Sequence, residues 1–371
     1  MLRLIVCYIA FLCVLNSCLL SPQLPAAQSI EASGVASSEH LLLRLPLERE
    51  ALGRDAIADL ERCYQFMDGA TGEKLPRKVL LFANWKQVDN SYNQQEAKIT
   101  LGMNRRAAAV NPVAFLMHAA ACEIGRLGLL QTSGGAQRED NAFLFEGMVE
   151  ILAHEFAHSS RNLEGTWVVS QFLDQMGKLG LAEQRSWSAF SGGRRSYRNS
   201  APGVTFLSFL RESQGRDRPV KLFESLKRAS LVASLAAVFK APASELESAW
   251  LKKVREYKAP EEITTSGEDA PQLVQTLLVP EACQPGGSLE LRLFMKDAAG
   301  NLLPDGVFIK DERTGKLLQP QAASQKGTEY LALVIPVDST CPPGNYQYRV
   351  TAVDESGNVR RWSGNYRVLG F

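Results

Sequence analysis

The chain has 371 residues, enough for two or three domains each with its own core. Hydrophobic residues make up 45% and charged residues 22%, the balance of an ordinary soluble globular protein. A formal net charge of +1 supplies no field to draw a polyanion, which argues against a nucleic-acid partner and against electrostatic adsorption to an anionic membrane.

Residues 1–28 read as a leader. Arg3 precedes an apolar run from Leu4 to Leu15, the length of a signal-peptide core and too short for a membrane span. An extracytoplasmic location follows: periplasmic, secreted or membrane-anchored. Leu15-Asn16-Ser17-Cys18 resembles a bacterial lipobox, which would make a lipid on Cys18 the route to a membrane; cleavage near Ala27 to Ser29 is the alternative. Cys7, Cys13 and Cys18 belong to the leader, leaving Cys63, Cys122, Cys283 and Cys341. In an oxidising compartment Cys283 and Cys341, which flank strands of one C-terminal region, are expected to pair. Cys63 and Cys122 would then pair or stay free.

Residues Leu41 to Met67 carry Ala56, Ile57, Leu60, Tyr64 and Met67 near helical spacing, a helix packed behind a sheet. Val79 to Ala83 and Lys98 to Met103 are short strands, the second taken as the sheet edge and entered through the polar run Asp89 to Gln95. Asn111-Pro112 starts a helix, with asparagine as cap and proline in the first turn, and Ser133-Gly134-Gly135 stops it. The next helix begins near Asp140 or Asn141, carries Glu146 and extends through His158 towards Ser160. Helical segments follow at Trp167 to Met176 and Val204 to Glu212, separated by the basic loop Ser191 to Ser200 with Arg194, Arg195 and, just inside it, Arg198. Three more run over Lys221 to Arg228, Leu231 to Phe239 and Ser244 to Tyr257, the last with Ser244 and Glu247 as a capping box. Residues 259–271, rich in Pro, Ser, Thr and acid, are a linker. From 272 to 371 the period is two, with about seven short strands between Gly-rich turns, the pattern of a β-sandwich. Trp250 and Trp362 are expected in cores, and Glu123 on the surface.

Three of the four histidines lie between Asn111 and His158. His154-Glu155-Phe156-Ala157-His158 is an HExxH string, in which two histidines one turn apart ligate zinc and Glu155 is the general base. Its third ligand would come from downstream, from Asp174 or Glu183. Glu146 cannot serve there, since it precedes His154 by two turns, roughly 12 Å along a helix. A plainer reading places Glu150, His154 and His158 on the polar face of a helix that buries Val149, Leu152, Phe156 and Ala157.

Residues 40–258 resemble the gluzincin, or peptidase-MA-like, zinc metalloproteases. The resemblance rests on a helix after a sheet, then Phe145-Glu146-Gly147-Met148-Val149-Glu150, then Val204 to Leu210, Gly215, Leu222 to Leu226 and Ala243 to Trp250 in succession. It implies an α+β zincin-like domain with a helical lobe, followed at 272–371 by an all-β sandwich resembling bacterial Ig-like modules. It also implies that His118 stands at the first zinc-ligand position, Cys122 at the second and Glu146, 28 residues beyond His118, at the third. Ala119 then occupies the general-base position, and Tyr197 stands where relatives carry an oxyanion-stabilising tyrosine. The implied function is a catalytically degenerate pseudo-peptidase, metal-free or with zinc on His118, Cys122 and Glu146, that binds a protein or peptide. The alternative is an active zinc metallopeptidase working through His154, Glu155 and His158.

Overall fold

The computed structural model describes residues 33–371 except 73–74, 88–89, 94, 105–107, 109–110, 136–140, 158–162, 188–196, 264–270, 297–305, 326–327, 355–356 and 371. The stretch expected to be a leader, with Cys18, and also His158, Arg194 and Arg195 therefore lie outside the described residues. Its first layer consists of β1 (Ser33–Ser37), β2 (Leu41–Pro46), β3 (Val79–Asn84), β4 (Ser91–Asn93) and β5 (Lys98–Gly102), in the order β1-β2-β3-β5-β4. The three inner strands are parallel and the outer two antiparallel to their neighbours. Two expectations change here. Leu41 to Pro46 is a strand, because Leu41, Leu43 and Leu45 alternate with Leu42 and Arg44 and only the first set is buried. The edge strand is β4, which pairs outside β5.

Helix α1 (Glu50–Thr71) covers one face of this sheet with Ala56, Leu60, Tyr64 and Met67 and ends at Gly72, whose φ of 89° suits a residue without a side chain. A polar clasp ties α1 to the start of β2. Glu61 takes hydrogen bonds from Ser38 Oγ (2.6 Å) and the His40 backbone N–H (3.1 Å) and meets His40 Nδ1 at 2.5 Å, while the His40 ring stacks on Tyr64.

The helices that follow are α2 (Pro112–Thr132), α3 (Ala142–Ala157), α4 (Glu164–Gln175), α5 (Leu181–Trp187), α6 (Tyr197–Gln214), α7 (Arg218–Ser225), α8 (Leu231–Phe239) and α9 (Ala243–Glu256). Asn111 caps α2, accepting from the Ala114 N–H at 3.1 Å, and Gly134 and Gly135 with φ of 62° and 76° turn the chain after it. By length and composition α2 could cross a membrane, yet 78% of its most apolar window is buried: it is apolar nearly all round because it packs against α1, α3 and β5. Helices α3 and α6 touch at Gly147 and Gly203, where a Cβ on either would overlap the other segment's backbone. Trp250 of α9 is fully buried and donates from Nε1 to Thr205 Oγ1 at 3.2 Å. The expected capping box is absent. Pro242 occupies the N-cap of α9, Ser244 lies inside the helix, and Glu247 instead accepts from the Leu181 N–H at 2.6 Å, serving the start of α5.

The C-terminal region is strand-rich. It comprises β6 (Gln272–Val279), β7 (Ala282–Cys283), β8 (Ser288–Lys296), β9 (Val307–Asp311), β10 (Lys316–Leu318), β11 (Gln321–Gln325), β12 (Thr328–Pro336), β13 (Gly344–Val353) and β14 (Val359–Val368). They form two sheets, β10-β9-β13-β14-β7 and β11-β12-β8-β6, whose buried residues join in one cluster. Leu289, Leu291, Leu293 and Leu331 come from one sheet, and Ile309, Val350 and Tyr366 from the other. The arrangement is compatible with a β-sandwich. Trp362 is half-buried against this cluster. The segment before it is pinned along its first part: Ile263 bridges Val359, Arg361 Nη1 donates to the carbonyls of Pro260 and Glu261, and Arg360 pairs with Glu262. Phe172 of α4 stacks on Phe308 of β9 at 4.4 Å.

No disulfide joins Cys63, Cys122, Cys283 and Cys341. The expected Cys283–Cys341 bond is therefore not formed, although both residues line the same cluster; Cys341 Sγ is directed at the Pro342 carbonyl, 3.6 Å away.

Gly147→Ala should destabilise the fold by about 1–3 kcal/mol or more, because the α3–α6 crossing must open to admit a methyl group; urea denaturation measures it. The clasp gives a pH prediction. Burial pushes the Glu61 pKa up, but hydrogen bonds from the His40 ring, Ser38 and the His40 N–H outweigh it and hold the carboxyl below its ordinary 4.5. A lowered folded-state pKa contributes stability that is present above the ordinary value and is lost as pH falls through the folded one. Glu61→Gln should therefore flatten the acid side of the stability–pH curve below about pH 4.5 relative to the parent.

Candidate metal centre

Two short stripes of polar side chains meet between α2 and α3. On α2, His118, Cys122 and Arg126 follow one another at intervals of four and share a face; on α3, Glu146 and Glu150 do the same. The connection between the helices is short, so they run antiparallel, and the later residue on α2 meets the earlier one on α3. Arg126 faces Glu146, and His118 faces Glu150.

At the first of these layers Arg126 Nη1 and Nη2 donate to the two oxygens of Glu146 at 2.6 and 2.7 Å, a bidentate pair. Arg126 is 2% exposed, and its Nε lies 3.5 Å from Glu123 Oε2. Burial alone would lower the guanidinium pKa; the charges of Glu146 and Glu123 outweigh that and raise it. Glu123 is buried, not on the surface, and accepts from Asn90 Nδ2 at 3.1 Å, while Asn90 Oδ1 accepts from the Gly102 N–H at 2.9 Å. The layer thus ties both helices to the end of β5.

At the second layer His118 Nε2 lies 3.5 Å from Cys122 Sγ and 4.0 Å from Glu150 Oε2, and the three donor atoms all fall within 4.8 Å of one another. The side chains of His118 and Glu150 are 17% and 13% exposed, and Cys122 is buried. Of the set placed together by resemblance, the structure joins His118 and Cys122 and adds Glu150. Glu146 stays with Arg126, two helical turns, or about 12 Å, along α2 from His118. Ala119 is buried and brings no carboxylate to this layer.

The donors fit a zinc-class ion. Imidazole nitrogen, thiolate and carboxylate are all zinc ligands, and around a tetrahedral ion with bonds of about 2.0–2.3 Å they would sit about 3.3–3.8 Å apart; the His118–Cys122 separation of 3.5 Å falls in that range, and the His118–Glu150 separation of 4.0 Å lies just outside it. With three protein donors one position stays open, and the bound ion would supply a Lewis acid there. A second group of donors, Glu39, His40 and Glu61, lies within the same 4.8 Å limit, but His40 Nδ1 is engaged by Glu61 within the α1 clasp and Glu39 is exposed.

The HExxH residues are placed differently. Both oxygens of Glu155 are engaged, by Arg211 Nη2 at 2.7 Å and Arg216 Nη2 at 2.9 Å, and would have to be released before taking a proton. Asp174 is held by Arg255 through bonds of 2.7 and 2.8 Å. Glu183 is in the first turn of α5, and His154 is half-buried in the last turn of α3. Tyr197 opens α6 and does not lie in a loop, and Arg198 follows it in the helix. Sequence reasoning misses Arg126 and assigns Glu123 to the surface and Glu150 to a polar helix face shared with His154 and His158. Four-residue stripes on two consecutive helices were the available signal, and they become informative only once the helices are paired antiparallel.

Replacing Arg126 by Met should cost about 3–5 kcal/mol in urea denaturation, since Glu146 and Glu123 would lose the guanidinium between them. Glu150→Gln, in the half-buried layer, should cost the metal-free protein under about 1 kcal/mol.

No protein-family model matches the chain, and no curated protein matches it. Among solved structures it is similar to a mutant M1 zinc metallopeptidase from Deinococcus radiodurans, with a TM-score of 0.34 and 14% identity over 62% of this chain and 53% of that one. It is also similar to the alkylpurine DNA glycosylase AlkC of Pseudomonas fluorescens bound to DNA containing an abasic site analog (TM-score 0.22, 11% identity, 84% of this chain and 97% of that one). A third is the S-layer protein rSbsC (TM-score 0.15, 11% identity, 84% and 45%). The match spans about half the length of the metallopeptidase, and likeness at this level assigns no activity.

Proposed function

We propose that this is an exported, metallopeptidase-like protein that has lost peptide hydrolysis and works by binding a protein or peptide. The observation that carries the reading is the state of the two candidate general bases. Hydrolysis at a zinc site needs a carboxylate able to take a proton from the attacking water. Beside His118 the position is Ala119, and in the HExxH string Glu155 is engaged by Arg211 and Arg216. The leader supports export, with the mature chain periplasmic, secreted or attached through Cys18. A helix pair bearing His118 and Cys122 behind a mixed sheet supports a gluzincin-like domain over 40–258, and the two C-terminal sheets support an Ig-like module that binds or spaces.

The test is hydrolysis of a mixed peptide pool by the zinc-loaded mature chain. No cleavage above a zinc-only control is expected, and Glu155→Gln should leave that result unchanged while lowering stability by about 1 kcal/mol through lost ion pairs. Zinc-dependent cleavage that disappears in Glu155→Gln and in His154→Ala would establish the active peptidase instead.

A further inference from the structure

We propose that His118, Cys122 and Glu150 bind a divalent cation of the zinc class, and that this ion ties α2 to α3 rather than activating water. The inference deepens the reading above, on which it rests for the absence of hydrolysis. Three donors of different chemistry converge from two helices, with their ligating atoms inside 4.8 Å. Their surroundings are poor in water: Cys122 is 5% exposed, and the other two side chains are below one fifth. A thiolate and an imidazole in one set select zinc, cobalt or cadmium over magnesium and calcium, which take oxygen donors. Cysteine must give up its proton to ligate, so loading releases a proton from the Cys122 thiol.

The ligand set is also specific about which glutamate takes part. Glu146 has both oxygens on Arg126, and freeing it would leave a buried guanidinium without its bidentate partner. Glu150, one turn further along α3, is the carboxylate beside His118. The two helices are already joined at the Arg126 end, so an ion at the His118 end would fix the pair at a second point one to two helical turns, or about 6–12 Å, away. This is the geometry of a staple. The neighbour of His118 at the general-base position is Ala119, which offers no carboxylate.

The experiment uses the full mature chain, stripped with chelator and reloaded with Co2+ as a coloured substitute for zinc. One cobalt per chain is expected, with a sulfur-to-cobalt charge-transfer band and a higher Tm than the stripped protein. Cys122→Ser should abolish the charge-transfer band. Glu150→Gln should weaken binding by about tenfold or more, at least the effect of losing an outer partner of a ligand. Glu146→Gln, if folded by circular dichroism, should keep the band and the affinity, as should His154→Ala. Should Glu146→Gln prove unfolded, Glu146→Asp replaces it. Substoichiometric cobalt in the parent would overturn the proposal, as would a band that survives Cys122→Ser, or binding lost in His154→Ala or the folded Glu146 variant and retained in Glu150→Gln. Cobalt bound as expected but without a rise in Tm would overturn the staple. Turnover is measured separately, so peptide cleavage by a protein loaded at this site would refute the non-hydrolytic reading and leave the ligand assignment standing.

Discussion

A guanidinium held between carboxylates inside the protein sets the register on which the polar interface depends. Arg126 is almost wholly buried, and its bidentate bond to Glu146 joins α2 to α3 at one level only. A buried ion pair adds little net stability compared with apolar residues of the same volume, because desolvation offsets most of the attraction. It is unforgiving of displacement, however. Sliding α3 by one turn would break the bidentate bond to Glu146 and leave the buried guanidinium with Glu123 alone, at a cost of several kcal/mol. The neighbouring pairing then follows geometrically: with Glu146 opposite Arg126 in an antiparallel pair, Glu150 comes level with Cys122, within reach of His118 one turn beyond, 4.0 Å away.

Glycines set how closely the helices around that interface approach. A side chain at Gly125 or Gly128 would press on Met67 or Thr71, so α1 comes in against one face of α2, and Gly147 meets Gly203 where α6 crosses α3. The glycine of the Glu146-Gly147 dipeptide is thereby explained by packing alone, whatever the chemistry of its neighbour. Helix α2 is enclosed on several sides, which accounts for its apolar composition and for the cost of any polar group placed on it without a partner. Thr132 Oγ1 donates to the Thr71 carbonyl, and Asn90 reaches Glu123 from the sheet side.

Much of the framework could be read from the sequence because local chemistry decides it. Asn111-Pro112 fixes a helix start, Gly134-Gly135 its end, and period-two runs such as Leu289 to Leu293 fix strands. Local signals failed where a more distant contact outweighed them. Leu41 to Leu45 reads as part of the following helix because three nearby leucines suit either period, and only pairing with β1 and β3 decides between them. Glu247 has capping-box spacing from Ser244, but Pro242 starts α9 and leaves that carboxylate to α5. The site was half legible for the same reason. Which residues share a stripe follows from spacing by four, whereas which stripe residues face each other depends on the turn between α2 and α3, and spacing along the chain carries no direct record of it.

The cysteines show how environment separates residues of identical chemistry. Cys63 is fully enclosed in the α1 core, and burial pushes its thiol pKa far up, so the reactive thiolate is suppressed even in an oxidising compartment. Burial also raises the Cys283 thiol, with the neighbouring Cys341 adding to the shift. Cys122 is nearly as buried, but its neighbours are an imidazole and, through it, a carboxylate. That setting favours ligation, while the same enclosure leaves little room for a substrate beside it. A buried donor set drawn from two helices, with Ala119 beside His118, suits holding those helices together, which is the role proposed for it.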